Sequence, residues 1–162
     1  MLLRPIVLVA VASAALPSVA FSQSADHQAV LTVVQRLFDG MRAADSGMVR
    51  GTFASGVRFA SVNARATTAT PPVPAAIEFQ PVDGWIKAIA GSNHRWDEQI
   101  YDVQIRVDDN MAQVWAPYTF YLDKKLSHCG IDAFELLKDA TGWKITQLSD
   151  TRRRENCRDV MK

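Results

Sequence analysis

WDEQIYDVQIRVDDNMAQVWAPYTFYLDKKLSHCGIDAFELLKDATGWKITQLSDT, residues 96–151, decides the fold. It falls into four runs rich in Val, Ile, Trp, Tyr and Phe, divided by Asx and Gly clusters. Residues 96–107 end in Asp108-Asp109-Asn110, and 111–122 end in Asp123-Lys124-Lys125. Residues 129–138 end in Asp139-Ala140-Thr141-Gly142, and 143–150 close the series. Apolar runs of strand length between such turns predict an antiparallel meander with no helix in it. Helices have to supply the other half of the core, and they lie upstream.

The spacing of Val30, Val33, Val34, Leu37, Phe38 and Met41 predicts a helix over 26–44, with Gln35, Arg36, Asp39 and Arg42 on its polar side. Asp45-Ser46 caps a second, short helix through Met48, Val49 and Phe53, which Gly56 ends. Residues 57–62 alternate and read as a first strand. Residues 63–74 are Thr-rich and finish in Pro71-Pro72-Val73-Pro74, so they read as a loop. A brief edge strand at 77–79 follows. Pro81 suits the first turn of a third helix that carries Trp85, Ile86 and Ile89 and stops at Gly91.

Ahead of these elements, Met1 to Arg4 give a positive start, residues 6–16 are unbroken apolar, and Pro17-Ser18-Val19-Ala20 brings small residues. That order is a secretory signal peptide, too short to remain as a membrane anchor. Cleavage after Ala20 or Ser22 fits, which leaves 1–22 as leader and 23–162 as a single exported domain, periplasmic or secreted. Removing Arg4 with the leader leaves 17 basic residues against 17 acidic ones. A neutral domain lacks the electrostatic footprint of a nucleic-acid binder, and Arg152-Arg153-Arg154 is too short to supply one. After cleavage no membrane association is expected. Cys129 and Cys157 are the two cysteines. In an oxidising compartment an even number predicts one bridge, and a tail of that length turns back far enough to form it.

The order of three helices, a strand between the second and third, and a long meander resembles the nuclear-transport-factor-2-like superfamily, in its small SnoaL-like and DUF4440-like bacterial branch. Ala-Asp-Ser-Gly-Met at 44–48, Ala112-Gln113-Val114-Trp115 and Gly142-Trp143-Lys144-Ile145 carry that resemblance. It implies an α+β cone: three N-terminal helices packed on a curved, mainly antiparallel sheet around an apolar cavity. It also implies a homodimer. The superfamily includes ketosteroid isomerase, scytalone dehydratase and polyketide cyclases beside plain binding modules, so fold leaves function open. The catalytic groups of those enzymes do not map cleanly here: the first helix has no Tyr, and no His and Asp are paired as in the dehydratases.

Strand parity nominates the cavity face. With Trp143 and Ile145 inward and a four-residue turn, Lys138 pairs with Trp143, Leu136 with Ile145, Phe134 with Gln147, and Asp132 with Ser149. The inward set is then Asp132, Phe134, Leu136, Trp143, Ile145, Gln147 and Ser149, with Leu148 and Asp150 facing away. Asp132 is the candidate general acid or base, unless it only accepts hydrogen bonds from Ser149 at the cavity mouth. His128 is a candidate proton shuttle, although a lone His at a strand end is more often a solvated turn residue. Tyr118, Phe134, Gln147 and Trp143 are candidate contacts to a small hydrophobic ligand. Parity also puts Trp115 with Tyr121 on one face and Tyr118 with Phe120 on the other; the outward pair is either a dimer surface or an exposed apolar patch, and the first is the expectation. His27, His94 and His128 are scattered, and there is no phosphate loop, nucleophile elbow or dinucleotide fingerprint. No metal, nucleotide or flavin cofactor is implied. Two readings follow: an exported small-molecule-binding or accessory protein, or an isomerase, cyclase or dehydratase working through Asp132. Convergence of Asp132 with a second titratable group inside a closed pocket separates them.

Overall fold

The computed structural model of the chain describes residues 19–63 and 75–161. The expected leader therefore lies outside the described residues up to position 18, and the expected loop does so from 64 to 74. The elements are α1 (Val19–Ala43), α2 (Ser46–Thr52), β1 (Phe53–Asn63), β2 (Ile77–Gln80), α3 (Val82–Ala90), β3 (Trp96–Ile100), β4 (Gln104–Asp108), β5 (Met111–Leu122), β6 (Lys125–Asp139) and β7 (Gly142–Arg152). The strands lie in the order β2-β1-β7-β6-β5-β3, with β4 also on β5. Every pairing is antiparallel except that of β1 on β7. The expected α+β class, three helices on a mainly antiparallel sheet, is what the chain forms.

The α1 stripe Val30, Val34, Leu37, Phe38 and Met41 is buried against the inner sheet face. Burying each of the larger side chains contributes roughly 2 kcal/mol. Phe38 meets Phe134 edge-on at 6.2 Å between ring centres. The helix ends at Ala43, and Ala44 follows in a left-handed conformation (φ 53°). Asp45 then accepts the Met48 N–H at 2.8 Å, so the expected cap opens α2. That helix stops at Thr52 rather than Gly56. Phe53 already belongs to β1, and Gly56 sits where β1 loses register with β7. Following Pro81, α3 buries Ile86 and Ile89, while Trp85 packs edge-on against Phe53 and Phe59.

Three details of the meander differ from expectation. Residues 96–107 form two strands, because β5 interrupts its partner. The Pro117 carbonyl accepts the Tyr101 N–H at 3.0 Å, so the side of Pro117 that lacks an N–H faces this neighbour. The partner breaks there, with Asp102 left-handed (φ 48°). Second, β6 starts at Lys125, not 129, and a bulge sets Tyr121 opposite Leu126 but Phe120 opposite His128. Third, β6 and β7 hold the expected register at Lys138–Trp143 and Leu136–Ile145, then slip: Phe134 faces Leu148, and Asp132 faces Asp150. Thr146 is the extra residue, its hydroxyl donating to the Glu135 carbonyl at 3.1 Å. One extra residue reverses every face beyond it.

Candidate functional site

The slip on β7 fixes which side chains enter the cone. Gln147 and Ser149 leave the inner face; Gln147 is exposed and lies outside the cavity lining. Leu148 and Asp150 take their places, both buried. Asp132 keeps its inward position because the extra residue lies on the other strand. It is 3 % exposed. His128 is no solvated turn residue: it lies within β6, half-buried, stacked at 4.9 Å on Phe120 and edge-on at 5.7 Å to Tyr118.

A cavity of about 550 Å³ lies between α1, α3 and the sheet. Its apolar wall includes Leu37, Phe38, Met41, Phe59 and Trp85, and its polar end is Glu98, His128, Asp132, Asp150 and Arg152. Of the expected ligand contacts, Phe134 and Trp143 are core residues outside this lining; the Trp143 indole N–H donates to Asp26 at 3.2 Å. Tyr118 is buried behind the polar end. Its hydroxyl donates to the Thr151 carbonyl at 3.0 Å, with Asp150 Oδ2 at 3.4 Å. Burial, then the charges of Glu98, Asp132 and Asp150, hold its pKa far above the usual phenol range.

Glu98 is the residue the sequence reading missed. It faces Phe120 across β3 and β5, hence points inward, and α1 fixes its backbone: Arg42 donates to the Glu98 carbonyl at 3.2 Å and lies 3.4 Å from Asp97. Glu98 and Asp132 both line the polar end of the cavity, close enough for each carboxyl to bear on the other's ionisation. Asp132 Oδ2 has no hydrogen-bond partner among the described residues. Two buried carboxyls side by side disfavour double ionisation, so the pair holds on to protons. Burial raises the Glu98 pKa to about 7, with the Asp150 charge adding to it and the Asp132 hydrogen bond and Arg152 opposing it. Burial, then the Glu98 charge, drives Asp132 well above the ordinary carboxyl range. His128 moves the other way, to about 4, through burial and then the Arg152 charge.

Asp150 and Arg152 form a second, closed set. Arg152 Nε donates to Asp150 Oδ2 at 2.6 Å, its Nη2 donates to Ser61 Oγ at 3.1 Å, and Ser61 Oγ donates to Asp150 Oδ1 at 2.5 Å. Burial works against the Arg152 charge, but the bond to Asp150 together with the charges of Asp150, Tyr118 and Glu98 outweighs it and the guanidinium stays ionised. Arg152 thus straps Asp150 inside the cone. Gly130 makes this packing possible. A Cβ there would stand 1.7 Å from the Thr151 carbonyl oxygen and 2.8 Å from the Tyr118 ring. Gly130→Ala is expected to cost about 2 kcal/mol and to displace Thr151 and its neighbours; a melting curve identical to wild type would contradict it.

The carboxyl pair also sets a pH dependence. Native Glu98 and Asp132 hold protons that the unfolded chain releases, so their contribution to stability falls as pH rises from about 4.5 through 7. His128, held neutral, contributes in the opposite sense between about 6.5 and 4. Two groups outweigh one. Asp132→Asn is expected to keep the fold and to be at least as stable as wild type, with a larger gain at pH 8 than at pH 5. Urea melts at both pH values test this, and a variant less stable at pH 8 would contradict it.

No family model matches the chain, and no curated protein matches it. Solved structures do. A Mycobacterium tuberculosis protein of unknown function superposes with a TM-score of 0.67 at 13 % identity, over 85 % of this chain and 78 % of that one. An NTF2-like protein of unknown function from Shewanella baltica gives 0.58 at 16 %, over 82 % and 97 %. A proposed scytalone dehydratase from Novosphingobium aromaticivorans gives 0.62 at 9 %, over 83 % and 88 %. Strand order, helix placement and these likenesses agree: the chain has the nuclear-transport-factor-2-like, cystatin-like fold.

Proposed function

We propose that the protein is a small-molecule acid–base enzyme that binds a largely apolar substrate in the cone and moves a proton on it. The observation that carries this reading is the Glu98–Asp132 pair: two carboxyls, each raised above its ordinary range, at the polar end of an apolar cavity. Glu98, near half-ionised at neutral pH, is the base; Asp132, which keeps its proton, is the acid. A base and an acid side by side suit proton removal next to a carbonyl with return at another atom, loss of water, or ring closure. The Asp150–Arg152–Ser61 set and Tyr118 have their hydrogen bonds filled and act by holding β7 in place. The test is hydrogen exchange in D₂O with 2-tetralone and N-benzyl-4-piperidone as probes. Protein-dependent deuteration beside the carbonyl supports the reading; none with either probe at any pH from 6 to 9 counts against it, and leaves binding alone as the function.

We further propose export, supported by the leader-like start and by the disulfide described below, and a homodimer through the outer face of the meander. Trp115 is 51 % exposed there, beside exposed Met111 and Leu137, and a concave groove of about 460 Å³ runs along that face between Arg106, Gln113, Glu135 and Gln147. Tyr121, its expected companion, is buried under the C-terminal tail instead. Sedimentation at high micromolar concentration is expected to give a dimer, and Trp115→Glu a monomer. A monomeric wild type would reject it. Protein recovered from the medium or periplasm is expected to begin within residues 21–24; a chain starting at Met1 there would reject cleavage.

A further inference from the structure

The charges at the polar end of the cavity do not balance. Facing Asp132 are Glu98 from β3, Tyr118 from β5, His128 from β6, and Asp150 with Arg152 from β7; α1 and α3 present only apolar side chains to the lining apart from the backbone. Asp150 and Arg152 neutralise one another in direct contact. His128 is neutral at physiological pH. What is left is the Glu98–Asp132 pair, and the one cation in the lining, Arg152, is already committed to Asp150 and Ser61. Asp132 Oδ2, in a side chain almost wholly buried, has no donor among the described residues. The lining of the same cavity carries five aromatic rings, Phe38, Phe59, Trp85, Trp96 and Phe120.

We propose that the cavity selects an apolar cation: a molecule whose hydrophobic body fills the aromatic end and whose ammonium or iminium nitrogen lies against Glu98 and the unpartnered Asp132 Oδ2. Aromatic faces and a buried carboxylate together stabilise a cation that has left water. A cavity of this volume takes a drug-sized molecule. An anionic ligand meets the reverse, since Arg152 is already bound to Asp150 and Ser61. Proton balance gives the binding step a second consequence. When the nitrogen enters, Glu98 gives up to solvent the proton it still partly holds near neutral pH, and Asp132 keeps its own. This deepens the acid–base reading and rests on it.

The experiment is titration calorimetry with three matched probes, 2-phenylethylammonium, 2-phenylethanol and 3-phenylpropionate, at pH 6 and pH 8 in two buffers of different ionisation enthalpy. The ammonium is expected to bind about tenfold or more tighter than the alcohol at pH 8. Its advantage should shrink at pH 6, where Glu98 takes up a proton of its own, and buffer dependence should show proton release on binding. Glu98→Gln is expected to erase the difference between ammonium and alcohol. An alcohol that binds as tightly as the ammonium at pH 8, or a carboxylate that binds tightest, overturns the cation assignment and leaves the acid–base reading standing. Absence of saturation by all three probes overturns both.

Discussion

Glu98→Gln is expected to lower turnover of any accepted substrate by about 10²–10⁴-fold and to leave the fold intact. Glutamine has nearly the size of glutamate and still accepts the proton that Asp132 donates. What it loses is the capacity to take a proton from substrate. In the wild type, kcat/KM should rise with pH through about 7, the point at which Glu98 ionises in its buried position. The limb belongs to the pair rather than to one oxygen, since each carboxyl moves the other. The variant should lack it. Full activity in Glu98→Gln, or a limb unchanged in position, would remove Glu98 from the chemistry. Circular dichroism and a melting curve keep this outcome separate from unfolding.

Cys129→Ser is expected to cost about 3–4 kcal/mol and to lower the melting temperature by about 10 °C. Cys129 and Cys157 are bonded, with 5.5 Å between Cα atoms and 28 residues of separation. Cys129 is fully buried, and its backbone exchanges both hydrogen bonds with Arg153 at 2.9 Å. Beyond the bridge the tail crosses the outer face of β5: Thr119 donates to the Arg158 carbonyl at 2.7 Å, Tyr121 to Asp159 at 2.8 Å, and the Val160 N–H donates to the Tyr121 hydroxyl at 2.9 Å. Arg158 also donates to Asp102 at 3.1 Å and lies over the Tyr101 ring. These contacts at a chain end do not hold it down unaided, because ordering each residue costs about 1–2 kcal/mol. Reduction of the wild type should reproduce the loss. Two reactive thiols per chain in the denatured, unreduced protein would show that the bond does not form.

Much of this was legible because period-two alternation and Asx or Gly turns report the strands directly, and the helix stripes report the inward side chains of α1 and α3. Asp132 could be placed because the parity of β6 alone decides it. Gln147 could not, since nothing at Thr146 announces an extra residue: the bulge is chosen by how β7 fits against β6 and β1 together. Glu98 was within reach. Trp96 is a bulky inward anchor two residues before it, and the same parity argument would have turned Glu98 inward. Its meeting with Asp132 was beyond reach, because β3 and β6 are not neighbours and only the curvature of the sheet across β5 brings their side chains together. The arginine run reads as a strap pairing with Asp132, Asp150 or Glu155, and Arg152 does pair with Asp150; that Ser61 joins them depends on the parallel pairing of β7 with β1.

That parallel pairing also governs the order of assembly. The meander closes by local hairpins, but β1 enters the main sheet only through β7, with Phe59 beside Leu148 and Ser61 beside Asp150. Nearly ninety residues of chain separate those partners, so their contact forms late and slowly in folding. Until Gly142–Arg152 has been synthesised, β1 has only β2 to pair with, and the apolar face of α1 has no completed sheet to cover. The N-terminal third is therefore obliged to remain open while the chain is being made. Under the export proposed above, a topology that delays folding would keep the chain in the unfolded form that a general secretory channel threads.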